Sequence, residues 1–155
     1  MVYQIDDKLT KYFEMHKEFI CCEAGCSSCC EKGDYPLSEL ELRYVMQGYA
    51  ELENSVKIRV QENIKNMVKG GECPFLVDKL CSIYPYRPIV CRVHGLAYLL
   101  KDGRVKLPYC VNDGKNYAEV YSKGEFLAEP IKENLETAAL LNGGEIRNLY
   151  DWVKG

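Results

Sequence analysis

Positive charge is not in surplus in this chain: 20 Lys and Arg face 23 Asp and Glu, for a net charge of −3. A balance of this kind gives no general attraction for nucleic acid or an anionic membrane, so neither is an expected partner. Long apolar runs are missing too. The stretch from Met1 to Phe13 carries Asp6, Asp7, Lys8 and Lys11 where a secretory signal needs unbroken apolar residues, and no later run approaches membrane-spanning length. The expected compartment is the cytoplasm. Absent as well are a Gly-rich phosphate cradle, a nucleophile elbow and a helix with the metalloprotease pattern, which weakens any assignment to the enzyme classes those motifs mark. Internal repeats, low-complexity segments and long linkers are lacking, so the 155 residues, 47% apolar, are expected to form one domain spanning 1–155 around a real core.

Cysteine is what the chain has in plenty. There are nine: Cys21, Cys22, Cys26, Cys29 and Cys30 close together, then Cys73, Cys81, Cys91 and Cys110 spaced out. Disulfides would need an oxidising compartment to persist, and an odd count suits pairing poorly. The first group runs C-x3-C-x2-C-C from Cys22, tight enough for several thiolates to converge without a large fold, and the second supplies ligands from a distance. Setting Cys21 aside leaves the candidate ligands Cys22, Cys26, Cys29, Cys30, Cys73, Cys81, Cys91 and Cys110, enough for two four-ligand centres or one larger cluster. Thiolate is a soft ligand that favours zinc, copper(I) or iron–sulfur clusters over magnesium or calcium. Adjacent residues such as Cys29 and Cys30 point in different directions on most backbones. That makes sharing one mononuclear zinc awkward and tilts the expectation toward an iron–sulfur cluster.

Thiolates gathered on a metal leave a net negative site, which costs desolvation energy unless cations or donors stand close. Arg87, in the stiff stretch between Tyr86 and Pro88, and Arg92 are the candidate cofactor-binding side chains, with a plain surface ion pair as the blander role. His94, three residues after Cys91, is a further nitrogen donor to weigh, whereas His16 falls on an apolar stripe and reads as a core residue. Tyr84, Tyr86 and Tyr109 neighbour cysteines; packing with the hydroxyl at the rim is their expected role.

The periodicity is mostly helical. Ile5, Leu9, Phe13, His16 and Ile20 predict an amphipathic helix leading into the first cysteines, and Gly25 then opens a ligand loop. Ser38 with Glu41 makes a capping box, with Leu37 and Leu42 as its staple, and Leu52, Val56, Val60, Ile64 and Met67 predict a further helix that stops at Gly70 and Gly71. Between Cys73 and Cys110 the texture changes to short apolar pieces, Phe75–Val77 and Leu80–Ile83, then Tyr98–Leu100 and Val105–Leu107 around Asp102-Gly103. Pro88 opens a short helix through Cys91. Helices are expected again over Pro130–Leu141 and Glu145–Val153, separated by Gly143 and Gly144.

CPFLVDKLCSIYPYRPIVCR, from Cys73 to Arg92, together with CEAGCSSCC, resembles the YkgJ-like cysteine-cluster family of zinc- or iron-chelating CxxCxxCC domains. The likeness spans about Cys22 to Cys110 and is carried by Cys26, Cys29 and Cys30, Cys73-Pro74-Phe75-Leu76, Cys81 with Ile83-Tyr84, Arg87-Pro88 and Cys91-Arg92. One departure is the three-residue interval from Cys22 to Cys26, where the family's name has two; Cys22 is favoured as the ligand over Cys21. The resemblance implies metal chelation. The flagellin lysine methylase, a longer protein sharing this kind of domain, extends the implication to an iron–sulfur cluster without implying that this chain methylates anything.

The expected architecture is mainly α: a single helical domain with small β-hairpins around a cysteine-ligated metal site. The expected function is that of a metal-binding cysteine-cluster protein carrying an iron–sulfur cluster, the 4Fe-4S form favoured, in a redox or substrate-adjacent role with another protein as partner. A zinc-stabilised protein-interaction module is the alternative, and a protein-modifying enzyme related to the lysine methylase ranks third.

Overall fold

The capping box at Ser38 forms in full: the Ser38 hydroxyl accepts the Glu41 N–H at 3.3 Å, and the Glu41 carboxylate accepts the Ser38 N–H at 3.0 Å. The same carboxylate accepts the Ile89 N–H at 3.0 Å, so one side chain satisfies the starts of two helices. The computed structural model describes residues 2–100, 102–122, 131 and 143–155. In chain order its helices are α1 (Val2–Met15), α2 (Glu39–Ala50), α3 (Asn54–Asn66), α4 (Ile89–Val93), α5 (Ala118–Ser122) and α6 (Leu149–Lys154). Its strands are β1 (Pro36–Ser38), β2 (Leu76–Val77), β3 (Leu80–Cys81), β4 (Tyr98–Leu99), β5 (Val105–Lys106) and β6 (Ile146–Asn148). They form three antiparallel pairs, β1 with β6, β2 with β3 and β4 with β5. Among the described residues no helix is long and apolar enough to cross a membrane.

The chain divides into two compact units, the first Met1–Glu23 with Val93–Leu135 and the second Ala24–Arg92 with Glu136–Gly155. In the first, α1 buries Leu9 and then tightens into a 3-10 turn over Lys17–Phe19, so regular α-helix ends before the cysteines it was expected to deliver. His16 is buried as expected, its Nδ1 2.8 Å from the Tyr117 hydroxyl. The Asp102-Gly103 hairpin forms with Tyr98 opposite Lys106 and Leu99 opposite Val105. Ala97 and Tyr117 are buried at the centre of a small cluster with Phe19, Ile20, Val105, Leu107 and Val111.

The second unit holds the larger core, Leu37, Val45, Val60, Met67, Phe75, Ile83, Val90 and Leu149. The stripe read from Leu52 to Met67 faces it, with Val56 and Ile64 packed at its edge. Asn63 ties α3 to the cysteine-bearing segment by donating to the Pro74 and Leu76 carbonyls at 3.1 and 3.2 Å. One expectation is corrected. Of the helix read over Glu145–Val153, the first part is strand β6, whose Ile146, Arg147 and Asn148 lie opposite Ser38, Leu37 and Pro36. A ladder offered by a distant segment outweighs the local 3.6-residue pattern there, and helix begins only at Leu149, where the Asp34 carboxylate accepts the Tyr150 N–H at 2.8 Å. The helix read over Pro130–Leu141 lies outside the described residues, apart from Ile131.

Candidate metal centre

The ligand loop closes on itself before it meets anything else. The Ser27 carbonyl accepts the N–H groups of Cys30 and Glu31 at 2.8 and 3.0 Å, a tight turn that puts Cys29 and Cys30 at its far side. The Cys29 and Cys30 sulfurs stand 3.9 Å apart. This corrects the expectation that the adjacent side chains diverge: the turn rotates successive residues so that both thiols reach the same side. The Tyr35 hydroxyl donates to the Cys29 carbonyl at 2.8 Å, and the Cys30 carbonyl accepts the Cys73 N–H at 2.7 Å. That last bond brings the two cysteine-rich segments together.

Cys81 ends β3, two residues after the Asp78-Lys79 turn, and Cys91 lies in α4, whose first turn begins on the Pro88 carbonyl as the proline predicted. Cys29 and Cys30 on one loop are thus joined by Cys73, Cys81 and Cys91 from other segments of the second unit, and Cys30, Cys73, Cys81 and Cys91 all feel the charge of Cys29. Cys26, half-buried, opens the same loop. The other two expected ligands, Cys22 and Cys110, belong to the first unit, Cys22 exposed and Cys110 buried. Cys21 and His94 belong to that unit too.

The electrostatics of the five thiols are uneven. The S–H of Cys30 hydrogen-bonds the Cys29 sulfur and, with a smaller contribution from the Arg87 guanidinium, lowers the Cys29 thiol to about 6. Cys30 is pushed up by giving that same bond and by burial. Burial pushes Cys73 up to about 12 and raises Cys81 and Cys91, with neighbouring thiols adding to each. The Tyr35 hydroxyl is raised by burial and then by four of the cysteines. Desolvated thiols that oppose one another's ionisation make a donor set a soft cation would stabilise, because bound metal removes both penalties. The donor chemistry therefore fits zinc or an iron–sulfur cluster, although among the described residues no three His, Cys, Asp or Glu side chains are grouped so that they could hold a metal ion as they stand.

The two arginines divide their work. Arg87 acts on Cys29, Cys81 and Cys91 while its guanidinium lies 3.6 Å over the exposed Tyr84 ring and its Nε donates to the Tyr84 carbonyl. Arg92 bonds backbone, its Nε reaching the Arg87 carbonyl at 2.7 Å and a terminal nitrogen the Pro85 carbonyl, and so holds the loop on which Arg87 sits. Tyr86 follows the rim expectation, its hydroxyl donating to Glu51, whereas Tyr84 serves as the platform under Arg87. Gly33, Tyr35 and Asn116 were not singled out in the sequence. A glycine three residues past the double cysteine is the one local signal that pointed to any of them.

No curated protein and no solved structure matches this chain. The profile of one family does, CxxCxxCC, described as a "putative zinc- or iron-chelating domain", over residues 21–119. That span holds all nine cysteines and well over half of the sequence. Matched over that span, the chain belongs to the CxxCxxCC family.

Proposed function

We propose that the second unit binds an iron–sulfur cluster through sulfurs drawn from Cys29, Cys30, Cys73, Cys81 and Cys91, with Arg87 as the compensating cation. The observation that carries this is a pair of sulfurs, Cys29 and Cys30, 3.9 Å apart, with the charge of Cys29 reaching Cys73, Cys81 and Cys91 as well: five thiols, one more than a single tetrahedral ion takes. A multinuclear centre offers several metal corners, so sulfurs entering from separate segments need not meet at a point. When bound, such a cluster supplies one-electron chemistry or a Lewis-acidic iron beside a substrate. The protein's part is to exclude water with the Phe75, Ile83 and Val90 core behind the sulfurs and to set the local charge with Arg87. The working compartment is a reducing one such as the cytoplasm, where the nine free thiols persist, and the partner is another protein.

The 3.9 Å between the Cys29 and Cys30 sulfurs favours a second reading. With zinc–sulfur bonds of about 2.3 Å, the edge of a tetrahedral site is about 3.8 Å, so the pair also suits one zinc that ties the loops together as a protein-interaction module. Metal and acid-labile sulfide per chain after anaerobic purification, with electron paramagnetic resonance after mild reduction, decide between them. Iron with matching sulfide supports the cluster; stoichiometric zinc without sulfide transfers the assignment to the second reading; neither metal ends both.

A further inference from the structure

We infer that Glu41 is a positioning residue for the metal site: its carboxylate, divided between the Ser38 cap of α2 and the Ile89 N–H of α4, fixes where Cys91 presents its sulfur. This rests on the metal-binding reading above. One oxygen, Oε2, accepts the Ser38 N–H at 3.0 Å and the Ser38 hydroxyl at 2.9 Å, while the other, Oε1, accepts the Ile89 N–H at 3.0 Å. Pro88 has no N–H to give, so Ile89 carries the first one of α4, and the Pro88 carbonyl takes the N–H groups of Cys91 and Arg92 at 3.1 and 3.2 Å. Holding the Ile89 amide therefore holds the turn that contains Cys91 two residues on. Val90, between them, is buried in the core of the second unit.

The double task needs a carboxylate. A capping box accepts Glu or Gln at its third helical position, because one acceptor oxygen turned back to the N-cap N–H is enough. Two N–H donors reaching opposite oxygens of one group are a stricter demand. Glutamine has a single oxygen and would set its NH2 against one of the two, leaving that donor unpaired. The cap explains either residue; the bond to Ile89 requires glutamate.

Glu41 is also the first of a row. Glu41, Tyr44 and Gly48 recur at helical spacing along α2, with Glu51 just past its end, and each meets the segment between Cys81 and Cys91. The Tyr44 hydroxyl donates to the Pro85 carbonyl at 3.0 Å, a Cβ on Gly48 would lie 2.6 Å from the Tyr86 Cβ, and the Tyr86 hydroxyl donates to Glu51. Helix α2 is thus the template on which the loop between two thiols is laid. Glu41 pins the end of that loop nearest Cys91.

The test uses the full chain purified anaerobically under reducing conditions, its metal content measured first. Two readouts follow: the rate at which EDTA draws the metal out, and the ratio of Cys91 to Cys73 alkylation by iodoacetamide in the loaded protein, mapped by peptide mass spectrometry. Both thiols are half-buried, which makes their ratio a fair comparison. Glu41→Gln should release metal about tenfold faster than the parent and raise the ratio at least about threefold, because Cys91 loosens while Cys73 stays tied to the Cys30 carbonyl. Ile89→Pro, which deletes the N–H at a position proline suits, should do the same. Ser38→Ala removes the cap hydroxyl but leaves the carboxylate on Ile89, so it should lower the urea midpoint and keep the parent's ratio. A merely structural glutamate would lower the midpoint and loosen both cysteines in step. If the parent carries no metal, the reading beneath falls and this inference with it. If metal is bound and Glu41→Gln folds with the parent's ratio, or Ser38→Ala moves the ratio as far as Glu41→Gln does, this inference alone falls. Should Glu41→Gln not fold, Ile89→Pro decides by the same two readouts.

Discussion

Gly33 and Cys73 meet so closely that a Cβ on Gly33 would lie 2.4 Å from the Cys73 Cβ and 2.9 Å from the Cys30 carbonyl oxygen. Absence of a side chain lets the Cys73 N–H reach the Cys30 carbonyl and join the two cysteine segments. Gly33→Ala must push them apart. We expect a loss of roughly 1–3 kcal/mol, the usual cost of overpacking, together with reduced metal per chain, read by urea melts and elemental analysis of one preparation. An alanine variant with the parent's midpoint and metal content would show that the contact is not needed.

The β2–β3 turn presents the opposite situation, a side chain where glycine would serve better. Asp78 and Lys79 both have positive φ, 53° and 65°, the pattern of a two-residue hairpin turn that usually carries Gly at its second position. Lys79→Gly relieves a left-handed cost of about 1–2 kcal/mol, offset by about 0.5–1 kcal/mol of extra chain entropy in the unfolded state. The lost Lys79–Glu31 pair, 3.7 Å apart and well exposed, adds little. A gain of about 0.5–1 kcal/mol, a few degrees in thermal midpoint, is the expected outcome, with metal content unchanged. A fall in the midpoint would mean that the Glu31 contact matters more than backbone strain.

What could be read from the sequence follows the range of the interactions involved. The Ser38 cap, the Val56–Val60–Ile64 stripe and both hairpins depend on residues a few positions apart, and each appears as expected. Strand β6 needs β1, more than a hundred residues earlier, and nothing in Ile146–Asn148 announces that partner. The cysteines could be named as a set because thiols in such number have few other uses. Their partition could not, since Cys22 and Cys110 fall in the first unit and the five coupled thiols in the second. The common direction of Cys29 and Cys30 comes from the Ser27 turn, which adjacency alone does not reveal. Asn116 carries no local mark at all, because its hydrogen-bond partners, Cys21, Cys22 and Gly95, are all distant in the chain.

Arg87 and Arg92 should separate cleanly in mutants. Arg87 supplies charge to the thiols, whereas Arg92 supplies hydrogen bonds to the Arg87 and Pro85 carbonyls. Arg87→Met should slow alkylation of Cys29 at neutral pH in the metal-free protein, with little change in melting. Arg92→Met leaves two carbonyls without their charged donor and should cost about 1.5–3 kcal/mol per strong bond at most, reduced by exposure to water. Equal melting of the two variants, or an unchanged Cys29 rate in Arg87→Met, would contradict this division.

The pH dependence of the metal-free protein should have two limbs of opposite sign. An ordinary thiol titrates near 9, and the Cys29 thiol is lowered to about 6, so its contribution to stability is complete above about 9 and is lost as pH falls through 6. Cys30, Cys73, Cys81 and Cys91 are raised, so theirs is complete below about 9 and is lost as pH rises, for Cys73 through about 12. The urea midpoint should therefore climb from pH 6 toward 9 and decline beyond it. Replacing Cys29 with serine removes the thiolate behind the acidic limb but leaves burial acting on Cys73 and Cys91, so the climb should flatten while the alkaline decline survives. Midpoints measured at half-unit intervals for both proteins decide the matter: a parent that gains stability steadily through pH 11, or a Cys29→Ser profile that keeps the full climb, would refute the assignment of the limbs to these thiols.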